Sequence, residues 1–289
     1  MKKGHAFLKR AGHWAFYRLS IRWPGPLARM TRELPLVAIE QVYSEAPPKN
    51  TRIPNIVYQT WVEPRLGRSH ARALSAFRAR NADFSFRFFD EVAMDDFMTA
   101  HFHGHEIYQI YNNARFGPMK ADIWRYCVLY AHGGVYCDIS RAIRRPLREF
   151  VDGDTWAVIS FETHNPAQSK AGDGMANLLQ FPGNRVINWA LMSEPGHPLF
   201  ERVIDGICSK YATYRGVLTA DPKQAILEFT GPIHLSECLT EYVAAHGTGE
   251  LTQAGVDFDG EAIIELPGSY VRYATRPAYI LASDQVIVT

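Results

Sequence analysis

Residues Pro118–Arg145 read PMKADIWRYCVLYAHGGVYCDISRAIRR, a pattern that places a helix, a stop and a strand in direct succession. No Gly or Pro interrupts Lys120 to His132, and Ile123, Trp124, Cys127, Val128 and Tyr130 supply the apolar faces of a mostly buried helix. Asp122 and Arg125 are three apart, so a carboxylate and a guanidinium share one face of that helix. They lie near its N-terminus, where the dipole favours the carboxylate. Gly133 and Gly134 end the helix, because the residue after the last turn commonly needs a positive φ that Gly adopts cheaply. Val135, Tyr136 and Cys137 follow as a short strand, and Asp138 and Ser140 come at its end, two apart and on the same side. In α/β sheets ligands bind at the carboxyl ends of strands, which makes this acidic strand end a candidate site.

The stretch KADIWRYCVLYAHGGVYCDIS resembles the sugar-binding region of a glycosyltransferase family. That family includes fungal mannosyltransferases, bacterial capsular-polysaccharide glycosyltransferases and, more distantly, clostridial glucosylating toxins. The resemblance implies that Asp122 and Arg125 hold the donor sugar. It also maps the first Asp of the family's D-x-D motif, which binds nucleotide sugar and a divalent metal, onto Asp138. Ser140 stands where the second Asp is expected.

With the resemblance comes an expected fold. It is an α/β GT-A-type domain with a mixed, mostly parallel sheet flanked by helices, spanning residues 52–289 after a basic N-terminal extension and linker over 1–51. IPNIVYQTWVEP is a strand candidate with Ile56, Val57, Tyr58 and Trp61 as its core. By resemblance Gln59, Thr60 and Trp61 are candidate base and ribose contacts. For Trp61, stacking on the base and packing in the core both stay open. Tyr136, Asp138 and Ser140 complete the expected nucleotide side, and Thr230, Gly231 and Pro232 match an element near the acceptor.

Composition narrows the classes further. The 289 residues are 47% hydrophobic and 21% charged with a formal net charge of +1, which is ordinary for a globular chain and gives no reason to expect nucleic acid. The charge is unevenly placed: Lys2, Lys3, Lys9, Arg10, Arg18, Arg22, Arg29 and Arg32 occur in residues 1–32 with no acidic partner. Mixed with Trp14, Phe16, Tyr17 and Trp23, they point to a helix lying on an anionic membrane surface or packed on the domain. Cys127, Cys137, Cys208 and Cys238 form no C-x-x-C pair and read as free thiols in a reducing compartment. No stretch is long and apolar enough to span a bilayer, and no signal-peptide core is evident, so a cytoplasmic protein at the inner face of the membrane is expected.

Elsewhere, 24–52 is rich in Pro and reads as an irregular connector, and helices are expected over 69–81, 91–102 and 106–116, with strands over 84–90 and 156–161. The turn-rich segment 163–174 reads as a loop bordering the cleft, followed by a short strand near Asn177 and two helices joined at Pro195. His101, His103 and His105 alternate, but they follow a polar helix and read as an exposed helix end rather than a metal site. Asp152/Asp154 and Asp257/Asp259 are literal D-x-D strings beside Gly, where Asp caps turns. His197 reads as the start of a helix.

The chemistry follows from the donor. Breaking the bond between an anomeric carbon and a diphosphate builds negative charge on the leaving group, and a cation must meet it. Mn2+ or Mg2+ on Asp138 with the hydroxyl of Ser140 is one option. A guanidinium from Arg141, Arg144 or Arg145 is another. The expected activity is retaining hexose transfer from a UDP- or GDP-sugar to a capsular or other envelope glycan or glycolipid. The competing readings are a silent nucleotide-sugar- or carbohydrate-binding protein and a scaffold that uses the basic N-terminus.

Overall fold

The computed structural model describes residues 19–151, 153–162, 185–275 and 279–289. The expected cleft loop 163–174, the strand near Asn177, Asp152 and most of the basic N-terminus therefore lie outside the described residues.

Seven strands form the main sheet: β1 (Val42–Tyr43), β2 (Ile56–Thr60), β3 (Ser85–Phe89), β4 (Gly134–Cys137), β5 (Ala157–Phe161), β6 (Ala190–Ser193) and β7 (Leu251–Val256). Their order is β7-β5-β6-β4-β2-β3-β1. All run in one direction except β6 and β1, which are antiparallel to their neighbours. This is the mixed, mostly parallel α/β sheet that the sequence leads one to expect.

Strand alternation sorts the apolar side chains into two layers. On one face Val57, Phe86, Val135, Cys137 and Met192 pack against Leu74 and Phe77 of helix α2 (Arg68–Arg80). Short α1 (Pro24–Met30) lies apart and packs Ala28 on Tyr270 and Val271. On the other face Tyr58, Tyr136, Ile159 and Leu191 meet a group of helices. These are α3 (Glu91–Phe102), α4 (Glu106–Asn113), α5 (Gly117–His132), α6 (Pro198–Tyr214), α7 (Pro222–Phe229) and α8 (Pro232–His246). Tyr136, and Asp138 two residues on, thus face α5 rather than α2.

Three segments differ from expectation. Helix α5 starts before Lys120, at Gly117, because Pro118 in the first turn has no N–H that the helix needs. Residues Val37–Ala38 and Val42–Tyr43 of the Pro-rich connector are not irregular: the first pair joins Arg65–Leu66 in a ladder and the second extends the sheet edge beside β3. The first of the two helices placed around Pro195 is β6, which inserts between β4 and β5 with hydrogen-bonding partners on both edges. Its apolar run from Val186 to Met192 suits a strand buried on both faces as well as a helix, and the open slot in the sheet decides it.

The Gly-Gly step between α5 and β4 is under two constraints. Gly133 and Gly134 have φ of +63° and +100°. A Cβ on Gly133 would lie 2.6 Å from the Pro195 nitrogen, and one on Gly134 would lie 2.8 Å from the Ile56 carbonyl oxygen. The backbone turn and the close approach of neighbouring chain both require Gly. All four cysteines are free thiols. Among the described residues no helix is long and apolar enough to cross a membrane.

Candidate active site

Helix α5 and strand β4 bring their polar residues to one point. Arg125 Nη2 lies 3.2 Å from Asp122 Oδ1 and 3.5 Å from Asp138 Oδ1. The Tyr136 hydroxyl donates to Asp138 Oδ1 at 2.7 Å, and the Arg125 guanidinium carbon sits 4.4 Å from the Tyr136 ring centroid. Asp122 and Arg125 are buried, whereas the Asp138 side chain is 27% exposed, so the acid at the strand end is the member that solvent reaches.

Arg125 is fully committed. Its Nη1 donates to the Asn188 carbonyl at 2.6 Å and its Nε to the Ala121 carbonyl at 3.1 Å. Burial disfavours its charge, but Tyr136, Asp122 and Asp138 together outweigh that, and its pKa is raised. Asp122 behaves differently: burial pushes it up to about 7, Arg125 opposes this and Asp138 adds to it. Near neutral pH its carboxyl can therefore both donate and accept, which suits the hydroxyls of a sugar. Tyr136, raised well above its ordinary value chiefly by burial, stays a phenol and a donor.

Two partners of Asp122 come from far along the chain. Asn188 Nδ2 donates to its Oδ1 at 3.1 Å, and Thr230 Oγ1 to its Oδ2 at 3.3 Å. Asn188 precedes β6 and escapes sequence reasoning that takes this segment for a helix. The available signal is the run's length, bounded by Gly183 and Pro195, which is that of a strand. His70 of α2 is a second unforeseen member. Its Nε2 lies 2.9 Å from the carbonyl of Ile139, between Asp138 and Ser140, and burial lowers its pKa to about 4. It is neutral, and the Nε2–H donates to that carbonyl, tying the Asp138 turn to the opposite layer.

The other expected residues are placed as follows. Thr60 shares the Tyr58 face of β2, with its hydroxyl donating to the Phe89 carbonyl. Gln59 turns to the opposite face, fully buried, where its Oε1 accepts from Arg78 Nε and Nη2. Trp61 packs half-buried against the α2-side core. Thr230, Gly231 and Pro232 are buried at the junction of α7 and α8, with Thr230 braced on Asp122. The Ser140 carbonyl accepts from Leu266 N at 2.8 Å. His197 caps α6 by accepting from Leu199 N, and His105 caps α4 in the same way. Asp257 and Asp259 sit in a turn of positive φ, and Asp259 pairs with Arg145.

A divalent Mn2+ or Mg2+ ion fits these residues poorly. Such ions gather about six oxygen ligands, commonly one or two free carboxylates with substrate phosphates and waters. Asp138 Oδ1 already accepts from Tyr136 and faces Arg125, and Oδ2 lies 3.7 Å from Arg141 Nε. Ser140 adds only a neutral hydroxyl. Among the described residues no group of three or more His, Cys, Asp and Glu side chains is placed to hold a metal.

Residues 68–158 match the family described as glycosyltransferase sugar-binding region containing DXD motif. Over this segment of the 289 residues the chain is similar to that glycosyltransferase family. The matched segment runs from α2 through β4 and into β5, so it contains Asp122, Arg125, Tyr136 and Asp138. The chain is 22% identical over 217 residues to the initiation-specific alpha-1,6-mannosyltransferase of Schizosaccharomyces pombe, covering 72% of this chain and 53% of that protein. The protein of the same name in Candida albicans is 27% identical over 140 residues, covering 43% of this chain and 35% of its own length. The chain thus spans about half or less of these fungal relatives. Among solved structures, the PaToxG glycosyltransferase superposes with a TM-score of 0.46 at 12% identity, covering 83% of this chain and 80% of that one.

Proposed function

We propose that this chain is a glycosyltransferase that transfers a hexose from a UDP- or GDP-sugar to a hydroxyl of a glycan or glycolipid, a reading supported by the match of residues 68–158 to the sugar-binding region. The observation that carries the reading is the convergence of Asp122 and Asp138 on one nitrogen of Arg125, whose Nη2 lies 3.2 Å from Asp122 Oδ1 and 3.5 Å from Asp138 Oδ1. In this reading Asp122 takes the sugar hydroxyls, Arg125 holds both acids in place, and Asp138 with Tyr136 faces the donor. Retention of anomeric configuration is part of the proposal. The acceptor oxygen bonds to the anomeric carbon on the side from which the diphosphate leaves, the diphosphate keeps the electron pair, and the acceptor's proton passes to it.

Thr60 and Trp61 on the nucleotide side, and Thr230, Gly231 and Pro232 toward the acceptor, belong to the same proposal; the contact of Thr230 with Asp122 supports the last group, whereas Gln59, buried and engaged by Arg78, is assigned to the core instead. The names of the fungal relatives make mannose the first sugar to try. Association with an anionic membrane surface through residues 1–32 is also proposed, supported by exposed Trp23 and Met30 beside exposed Arg22, Arg29 and Arg32. Pelleting with anionic but not neutral vesicles tests that part.

The enzymatic proposal is tested by incubating the full chain with GDP-mannose and a panel of UDP- and GDP-hexoses and following release of nucleoside diphosphate. At least one donor should turn over, and Asp138→Asn should abolish the turnover. Silence across the panel together with no calorimetric binding overturns the reading, whereas binding without turnover identifies a silent donor-binding protein.

A further inference from the structure

The cation that meets the leaving diphosphate can be assigned from the surroundings of Asp138. We infer that Arg141, latched by Asp138, takes the charge of the donor diphosphate, so that this chain binds nucleoside diphosphates without a divalent metal; the inference rests on the nucleotide-sugar reading above.

Four arginines lie on or near the acidic strand end, and three are otherwise engaged. Arg125 spends its donors on Asn188, Ala121, Asp122 and Asp138 and is buried. Arg145 is held by Glu149 and Asp259, and Arg144 lies beside Glu261 with its Nη1 on the Gly260 carbonyl. Arg141 differs. Its Nε lies 3.7 Å from Asp138 Oδ2, and its guanidinium carbon is 5.2 Å from the ring centroid of buried Trp189. Among the described residues neither Nη has an ion-pair partner. One edge of the guanidinium is fastened and one face is supported by an aromatic ring. The two remaining nitrogens form the fork that suits phosphate oxygens.

Exposure agrees with this division. The Arg141 and Asp138 side chains are 28% and 27% exposed, open to a ligand from solvent, where that of Arg125 is 7%. A backbone bond from Arg141 N to the Asp138 carbonyl at 3.0 Å closes the turn between them, and His70 anchors Ile139 inside it. The guanidinium is therefore positioned before any ligand arrives. Ser140 fits the same scheme: a second carboxylate in this turn would add negative charge where the diphosphate comes to rest, with no dication to offset it.

Isothermal calorimetry of the full chain with UDP and GDP, in EDTA and in excess Mn2+, tests the inference. At least one nucleotide should bind with an affinity that Mn2+ changes by less than about threefold. Arg141→Gln should weaken binding by about tenfold or more, the worth of a lost charge-assisted bond, with an unchanged melting temperature. Arg141→Lys should recover part of the loss, and Arg144→Gln should bind as the parent does. Binding that EDTA abolishes overturns the inference and leaves the nucleotide-sugar reading standing, as does an Arg141→Gln protein that binds normally. If neither nucleotide binds under any condition, the nucleotide-sugar reading fails and the inference with it.

Discussion

The Tyr136 hydroxyl donates to Asp138 Oδ1 at 2.7 Å, so a phenol and a carboxylate two residues apart on one strand act as a unit. The ring of the same Tyr136 supports the Arg125 guanidinium, and one side chain therefore serves both the carboxylate and the cation of the site. Tyr136→Phe keeps the ring and removes the bond. Folding stability should fall by only about 1 kcal/mol, the net worth of one hydrogen bond. Donor turnover should fall by about tenfold, because Asp138 loses its fixed orientation. Thermal melts beside kcat/KM separate the two effects, and equal turnover in both proteins would remove Asp138 orientation from the account.

Asp122 gives a pH signature. Its carboxyl titrates near 7 in the folded chain and near 3.8 unfolded. Between those values the folded state holds a proton that the unfolded state has lost. The stability that Asp122 contributes is therefore complete below about pH 4 and is lost as pH rises through 7. Asp122→Asn cannot titrate. The stability of the variant relative to the parent should rise across that window by up to about 1.4 kcal/mol per pH unit, read from urea curves at several pH values. Parallel curves would show that burial does not govern this carboxyl.

His70 has the opposite sign. Its folded pKa of about 4 lies below the ordinary 6.5, so its contribution is present above pH 6.5 and disappears as pH falls through 4. Relative to His70→Gln, which retains a donor for the Ile139 carbonyl, the parent should lose roughly 3 kcal/mol over that interval. The check is the difference in acid denaturation midpoint.

Asn188 is neutral where a charge cannot be tolerated. Its amide donates to Asp122, and replacement by Asp sets two carboxylates together in a buried place with one guanidinium. Asn188→Asp should destabilise the fold by about 3 kcal/mol or more. Asn188→Ala should cost less in stability yet still reduce donor affinity in calorimetry, since Asp122 then loses a partner.

Gly134 combines a φ of +100° with a carbonyl oxygen 2.8 Å from where a Cβ would lie. Gly134→Ala should destabilise by about 3 kcal/mol or more, through backbone strain and steric overlap together. Gly104, with nothing within 4 Å of a built Cβ, is the matched control and should tolerate Ala. Similar midpoints for the two variants would count against this account of the Gly-Gly step.

Much of the site was legible from one stretch of chain, because its determinants are local. The three-residue spacing of Asp122 and Arg125, the paired glycines and the strand alternation that aligns Tyr136 with Asp138 are each set by backbone geometry within a few bonds. The α/β class was expected from the family resemblance that this same stretch carries. What tertiary structure alone decided involves residues distant in sequence: Asn188 and Thr230 reach Asp122 across 66 and 108 positions, and His70 reaches Ile139 across 69. The segment before Pro195 became a strand because a slot between β4 and β5 offered hydrogen bonds on both edges, a preference that its apolar composition does not encode. The inferred choice of Arg141 over Arg144 and Arg145 rests likewise on tertiary structure, on which guanidinium its folded neighbours leave with donors to spare.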